Sequence, residues 1–121
     1  MAGKILVVDD EPDILKMVTF RLKKEGYEVM TAVDGQEALD LINKGRPDLV
    51  LLDLRLPVMD GYEVCKTLKT DKNLKQIPVV FLTASVTSNI AEKVKAFNAD
   101  GYLIKPFDPV KLLEIVKKFI K

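Results

Sequence analysis

Polar residues able to do chemistry stand at the ends of four short apolar runs in this 121-residue sequence. Two runs end in carboxylates, one ends in a hydroxyl and one in an ammonium group. The residues at these ends are Asp9, Asp10, Asp53, Thr83 and Lys105. If the four runs are parallel β-strands, their carboxyl ends lie along one edge of a sheet, where open α/β sheets bind ligands. We therefore expect these side chains to converge on one site.

A cluster of three carboxylates needs a proton or a cation. Two such groups ~4 Å apart repel by roughly 4 kcal/mol at an effective dielectric constant of ~20, and Lys105 offsets about one of the charges. The sequence has no histidine and a single cysteine, Cys65, so a metal ion at this site would be held by oxygen atoms. Oxygen ligands favour a hard ion, Mg²⁺ first and then Mn²⁺ or Ca²⁺.

The position of Asp53 suits a nucleophile. The apolar run 49–52 predicts a strand buried on both faces, and the turn signals of Pro57 and 60–61 place a loop behind it. A carboxylate held in this way can attack phosphorus and form an aspartyl phosphate, while a hard cation and Lys105 neutralise the phosphoryl oxygens. The Thr83 hydroxyl is a short donor that can reach a new phosphoryl oxygen.

Each of these residues has a simpler interpretation when it is taken alone. Asp10 could only cap a helix, Thr83 could only end a strand, and Lys105 could only be a solvated lysine. Tyr102 alone is a half-buried strand aromatic, and Cys65 is a small packed hydrophobic residue. The functional interpretation rests on the set of acids, hydroxyl and lysine, because together they stand at the ends of four different predicted strands.

Alternating strands and helices are needed to position these residues. Apolar runs predict five strands, at 4–8, 28–32, 49–53, 78–83 and 101–104. Helical spacing of apolar residues follows each run, which predicts an α/β fold with a doubly wound, five-stranded parallel sheet and helices on both faces. The strand order 2-1-3-4-5 would make strands one and three neighbours at the ligand crevice. The lysine-rich stretch 66–75 is predicted to be a solvated loop.

Capping signals mark where most of the helices begin. Asp10 or Glu11 precedes Pro12, and Asp108 precedes Pro109, so both prolines fall in a first helical turn. The pair Asp34 and Glu37 resembles a capping box. The third helix is predicted to begin near Asp60, and either Thr87 or Ser88 is predicted to cap the fourth.

Composition narrows the class of protein. The length predicts one domain, 1–121, and no apolar run approaches the ~20 residues of a membrane span. The N-terminal run is too short for a signal peptide, and the single Cys65 fits a reducing cytoplasm. A formal net charge of +1 gives no basic excess for nucleic acid. We therefore expect a cytoplasmic protein that contacts neither membrane nor nucleic acid directly.

Four segments together resemble the receiver domain of two-component response regulators, a CheY-like family with a flavodoxin-like fold. They are VVDDEP at 7–12, LLDLRLPVMDG at 51–61, LTA at 82–84 and YLIKPF at 102–107. The resemblance covers essentially the whole chain. It implies that Asp53 is the phosphoacceptor, and that Mg²⁺ is bound directly by Asp10 and largely through water by Asp9.

The resemblance also implies roles for residues around Asp53. The backbone carbonyl of Arg55 would be a metal ligand, and Lys105 would pair with the phosphoryl group and precede a cis peptide bond to Pro106. Thr83 and Tyr102 would form a coupled switch pair. Arg55 and Ser85 would lie where the family tunes the rate of dephosphorylation.

The implied function is a phosphorelay switch. A sensor histidine kinase or a histidine phosphotransfer protein would supply the phosphoryl group from phosphohistidine. The change would then reach the face formed by helix 4, strand 5 and helix 5, which would act on an output domain or an effector protein. The protein would not be an enzyme beyond slow self-phosphorylation and self-dephosphorylation.

Two other classes share parts of this pattern. A phosphohydrolase of the haloacid-dehalogenase type also uses a strand-end aspartate, Thr or Ser, Lys and Mg²⁺, but it expects a second aspartate where this chain has Arg55. A flavin or nucleotide carrier would need a phosphate-binding loop rich in Ser, Thr and Gly after strand one. The acids Asp9, Asp10 and Glu11 stand there instead and would repel a phosphate in the absence of metal.

Overall fold

A computed structural model describes residues 3–84 and 89–120, which form five strands and five helices in alternation. The strands are β1 (Lys4–Val8), β2 (Glu28–Ala32), β3 (Leu49–Asp53), β4 (Val79–Thr83) and β5 (Gly101–Ile104). The helices are α1 (Pro12–Lys24), α2 (Gly35–Gly45), α3 (Gly61–Thr70), α4 (Ile90–Ala96) and α5 (Pro109–Phe119). In this part of the chain no helix has the length and apolar character needed to cross a membrane.

All four strand pairs are parallel, and the order is β2-β1-β3-β4-β5. The predicted fold class and strand order are therefore confirmed. Strands β1, β3 and β4 are central, and β3 and β4 are buried along their whole length. This is why their sequences read as continuous apolar runs rather than as alternating ones. β4 begins at Val79, one residue later than predicted, because Pro78 has no N–H to donate.

Two apolar layers hold the helices on the sheet. On one face of the sheet, α1 and α5 pack on every second residue of the strands, including Leu51. The buried helix residues on this face are Val18, Leu22, Leu112 and Val116. On the other face, buried residues of α2, α3 and α4 pack on the intervening strand residues, whose side chains point the opposite way. The buried side chains on that second face include Ala38, Ile42, Val64, Leu68, Phe81 and Ile90. Both faces of the sheet are thus covered, as a parallel sheet requires.

Aspartate caps begin three of the helices. The side chain of Asp34 accepts a hydrogen bond from the Glu37 N–H at 2.8 Å, and Asp60 and Asp108 make the equivalent bonds at the starts of α3 and α5. The Glu37 carboxylate bonds the N–H of Val33 at 2.7 Å rather than that of the cap residue, so the capping box is shifted by one position. The predicted cap at Thr87 or Ser88 lies outside the described residues.

The prediction of a solvated loop at 66–75 is wrong for its first half. Residues up to Thr70 continue α3, and the Lys69 side chain is only 9% exposed. Its Nζ donates to the carbonyls of Lys75 and Ile77 at 3.1 and 2.8 Å and pairs with Asp100 at 3.0 Å. Lys69 therefore ties α3 to the loop before β4 and to the start of β5.

Close approaches fix the loops at the carboxyl edge of the sheet. A Cβ on Gly61 would lie 2.4 Å from the carbonyl oxygen of Asp53, so only glycine fits at the start of α3. Between Asp53 and Gly61, Val58 has a φ of 70° and is 83% exposed. A β-branched residue in the left-handed region is strained, and this strain lies in the loop that follows Asp53.

Candidate functional site

The register of β1 and β3 brings three acids together. Val8 lies opposite Leu52, so Asp9, which follows β1, and Asp53, the last residue of β3, lie side by side. One carboxylate oxygen from each of Asp9, Asp10 and Asp53 lies within 4.8 Å of the others. Asp9 and Asp53 are buried and Asp10 is exposed. The predicted convergence of these acids is present in the structure.

Asp53 is held by two different donors. Its Oδ1 accepts a hydrogen bond from the Arg55 backbone N–H at 3.0 Å, and its Oδ2 accepts one from Lys105 Nζ at 3.1 Å. The residue is 6% exposed, so it is fixed in orientation while one edge faces the cleft described below. A carboxylate fixed in this way needs little reorganisation before it attacks an electrophile.

Lys105 is the cation of the site and contacts three carboxylates. Its Nζ lies 2.7 Å from Asp9 Oδ2, 3.1 Å from Glu11 Oε1 and 3.1 Å from Asp53 Oδ2. Burial disfavours the charged ammonium, but the bonds to Asp9 and Glu11 and the charge of Asp53 outweigh it, so the pKa of Lys105 is raised. The Lys105–Pro106 peptide bond is cis, as the resemblance implies.

Asp9 is a fully buried carboxylate in a site with excess negative charge. Its Oδ1 accepts from the Glu11 N–H at 2.9 Å. Its Oδ2 is close to the Lys105 ammonium but has no hydrogen bond of acceptable geometry within the described residues. Burial raises the pKa of Asp9, and the Lys105 contact and the Glu11 N–H only partly oppose this. A buried oxygen without an aligned donor, in a set made only of oxygen ligands, fits a hard cation.

Thr83 and Tyr102 lie on the same side of the sheet. In the β4–β5 register Thr83 pairs with Ile104 and Phe81 pairs with Tyr102, and residues two apart on a strand share a face. Thr83 is 7% exposed, whereas Tyr102 is 38% exposed and lies toward solvent. Ser85, which is also predicted to belong to the site, lies outside the described residues.

A cleft of about 630 Å³ extends from the acids toward α4. One side of the cleft is formed by residues of the acid site and its neighbours, namely Asp53, Arg55, Thr83 and Lys105. The adjoining wall is formed by residues from α3 and α4. The Tyr62 ring forms part of that wall; it packs on Phe97 with ring centroids 4.7 Å apart, and the Lys93 ammonium lies 4.8 Å from its centroid. The described residues of this wall include no acid, so the negative charge of the cleft lies at the ends of β1 and β3.

Three contributors to the site were not predicted from the sequence. The sequence indicates Glu11 as a possible helix cap and as one acid of the run 9–11, but not that its side chain contacts Lys105. Tyr62 and Lys93 carry no chemical motif, and only the fold brings them to the cleft. The single available signal was the third acid in the run 9–11, which the sequence alone could not assign to a lysine 94 positions away.

Comparisons with known proteins agree on one family. The family model "Response regulator receiver domain" matches residues 5–117. The master transcriptional regulator RpaA of Synechocystis, described as DNA-binding, is 41% identical over 120 residues, which cover 98% of this chain and 49% of that protein. The chain spans about half or less of the length of the curated relatives it matches.

Solved structures give the same result. The chemotaxis response regulator CheY4 of Vibrio cholerae is 38% identical with a TM-score of 0.92, and the match covers 99% of this chain and 100% of that chain. The receiver domain of the sensor histidine kinase PA1611 from Pseudomonas aeruginosa, solved with magnesium in its active-site cleft, is 31% identical with a TM-score of 0.90, over 99% of this chain and 98% of that one. The chain belongs to the response regulator receiver domain family.

Proposed function

We propose that this chain is a phosphorelay switch in which Asp53 is the residue that takes the phosphoryl group. Membership of the receiver family supplies the class of function. The observation that supports Asp53 in particular is its position: a buried carboxylate at the end of β3, within 4.8 Å of two further acids and 3.1 Å from the Lys105 ammonium. Asp9 shares the burial and both kinds of neighbour, but of these two buried acids only Asp53 lines the cleft that a phosphodonor would enter.

In the proposed reaction a carboxylate oxygen of Asp53 attacks the phosphorus of a phosphodonor. The new O–P bond forms as the P–N bond of a phosphohistidine, or the P–O bond of a small acyl phosphate, breaks, and the electron pair leaves with the donor. The Arg55 N–H keeps the carboxylate in place, and the Lys105 ammonium offsets charge on the transferred oxygens. Receiver domains interact with histidine kinases, and we propose a sensor histidine kinase or a histidine phosphotransfer protein as the donor here.

The acids fit a hard cation, and we propose Mg²⁺, with Mn²⁺ as a substitute. Asp10 and Asp53 would hold it with the backbone carbonyl of Arg55, and Asp9 would act largely through water. Such an ion neutralises charge on the phosphoryl oxygens. The exposure of Asp10 beside the two buried acids leaves room for water and phosphate oxygens, which suits Mg²⁺ because it keeps part of its hydration shell.

The output would depend on Thr83 and Tyr102. A phosphoryl group on Asp53 would draw the Thr83 hydroxyl toward it, and the partly exposed Tyr102 ring would move into the space vacated. Their shared face of the sheet supports this coupling. The surface of α4, β5 and α5 would then change and act on an output domain or effector protein. Arg55 and Ser85 are proposed to tune the lifetime of the phosphoryl group.

Several expectations from the sequence remain predictions. These are the single-domain organisation, the cytoplasmic location, the lack of direct contact with nucleic acid or membrane, and the limitation to slow self-phosphorylation and self-dephosphorylation. The matched relative RpaA is described as DNA-binding, and it is about twice as long as the matched region. The haloacid-dehalogenase alternative receives no support from the family match.

Phosphorylation by a small donor tests the proposal. Incubation with Mg²⁺ and acetyl phosphate should add one phosphoryl group, measured by intact mass, and Asp53→Asn should abolish the addition. Asp60→Asn is the matched control, because Asp60 is an aspartate of the same loop that caps α3 and should keep the labelling. Undiminished labelling of Asp53→Asn would refute the assignment, and rapid multiple turnover of a phosphomonoester would favour the phosphohydrolase.

A further inference from the structure

Glu11 contacts Lys105 instead of capping its own helix. It occupies the N-cap position of α1, yet its side chain makes no capping hydrogen bond. Its Oε1 accepts from Lys105 Nζ at 3.1 Å, across 94 positions of sequence. The Glu11 backbone N–H bonds Asp9 Oδ1 at 2.9 Å, so the main chain of this residue is fixed within the site while its carboxylate reaches over it.

Three carboxylates surround the ammonium group of Lys105. An ammonium group carries three N–H donors, and the carboxylates of Asp9, Glu11 and Asp53 lie between 2.7 and 3.1 Å from Nζ. Because these carboxylates already surround Nζ, a phosphoryl oxygen on Asp53 competes with them for contact with the ammonium group. The carboxylate that gives up its contact therefore determines how easily the Lys105 ammonium group pairs with the phosphoryl oxygen.

Burial distinguishes the three partners. The Asp9 side chain is 0% exposed and the Asp53 side chain is 8% exposed, whereas that of Glu11 is 60% exposed. Release of Asp9 would leave a buried carboxylate without a cation, which is strongly unfavourable, and Asp53 itself carries the phosphoryl group. Glu11 can be hydrated as soon as it lets go, so its release is the least unfavourable.

We infer that Glu11 is the exchangeable partner of Lys105, a positioning residue that holds the ammonium group before phosphorylation and gives it up to the phosphoryl group afterwards. The inference rests on the proposed role of Asp53. It has two consequences. Glu11 competes with the phosphoryl oxygens for Lys105, and its charge at the mouth of the cleft opposes a dianionic phosphodonor more than a monoanionic one.

The test compares labelling rates of Glu11→Gln and wild type with Mg²⁺ and two small donors. Acetyl phosphate is dianionic near neutral pH, and phosphoramidate is monoanionic. Glu11→Gln should accelerate labelling by acetyl phosphate roughly two- to fivefold, the range given by an exposed ion pair, and should accelerate phosphoramidate less. Glu28→Gln is the matched control: Glu28 is 69% exposed, pairs with Lys4 at 3.9 Å and lies at the opposite edge of the sheet, so its removal should leave both rates unchanged.

A second variant separates the side chain's charge from its place in the helix. Glu11→Ser removes the charge and supplies a side chain that can cap α1, so it should accelerate labelling while keeping or raising the melting temperature. A structure with Mg²⁺ and beryllofluoride, a phosphoryl mimic, should show the Glu11 carboxylate beyond hydrogen-bond distance of Lys105 Nζ. A persistent Glu11–Lys105 bond in that structure, or variants labelled no faster than Glu28→Gln, would overturn the inference. Loss of Asp53-dependent labelling in the wild type would instead overturn the proposed function.

Discussion

Asp10→Asn should stabilise the protein without Mg²⁺ and destabilise it relative to wild type when Mg²⁺ is present. Asp10 is the exposed member of the acid cluster, and its carboxylate lies within 4.8 Å of those of Asp9 and Asp53. None of the ion pairs described for the site involves Asp10. Its replacement by an isosteric amide therefore removes repulsion without removing a contact of Lys105.

The size of this stabilisation follows from the distance between the carboxylate oxygens. At 4.8 Å each repulsion is about 3.5 kcal/mol at an effective dielectric constant of ~20 and about 0.9 kcal/mol in bulk water. The water-like limit is closer for an exposed group, and the Lys105 charge opposes part of the repulsion. A net gain of about 1 kcal/mol remains, which corresponds to a rise in melting temperature of roughly 3 to 5 °C for a domain of this length.

Thermal unfolding in a chelator measures the stabilisation without Mg²⁺, and thermal unfolding in excess Mg²⁺ measures how much of the stabilisation by the ion is lost. At a hundredfold excess over its dissociation constant, an ion bound only to the folded state adds about 2.7 kcal/mol, and Asp10→Asn should lose most of that gain. Asp13→Asn is the control, because Asp13 is also acidic and exposed but lies in the first turn of α1, where it favours the helix. If Asp10→Asn melts at or below the wild-type temperature in chelator, the acids do not repel one another and the reasoning fails.

Three further outcomes are expected. Burial raises the pKa of the Cys65 thiol to about 11 from its usual 9.0. The native state therefore holds this proton more tightly than the unfolded chain, and the free energy of unfolding should fall as the pH rises from 9 to 11. Urea titrations of Cys65→Ala should lack that decline. Lys105→Ala should reduce the free energy of unfolding by about 3 kcal/mol, since it leaves buried Asp9 unpaired, and calorimetry should find Mg²⁺ binding retained; an unchanged midpoint would argue against the ion pair. Val58→Asn should raise the melting temperature by a few degrees by relieving the positive φ of 70°; a lower value would contradict strain at this position.

Short-range signals predicted most of the fold. The strand positions followed from apolar runs, and the aspartate caps at 34, 60 and 108 followed from spacing within a few residues. The convergence of the candidate site residues could be predicted because the carboxyl ends of parallel strands share an edge. The rule names the edge but gives no distances, so only the structure shows that Lys105 contacts three carboxylates rather than one.

The errors came from side chains that act across long separations. Lys69 belongs to a lysine-rich segment, and nothing local distinguishes it from solvated neighbours; its burial follows from the carbonyls before β4 and from Asp100, 31 positions away. The position of Glu11 just before Pro12 is explained locally by a helix cap, but its side chain bonds Lys105 instead of capping α1. Likewise, Tyr62 and Lys93 come together only because α3 and α4 pack on the same face of the sheet.

Identification of the phosphorylated residue decides whether Asp53 is the phosphoacceptor. The wild-type protein would be labelled by acetyl phosphate with Mg²⁺, the acyl phosphate reduced with borohydride, and the peptides sequenced by mass spectrometry. We expect a single modified position, Asp53, with Asp9 and Asp10 unmodified. Modification of another residue, or a stable label that borohydride does not remove, would contradict this assignment.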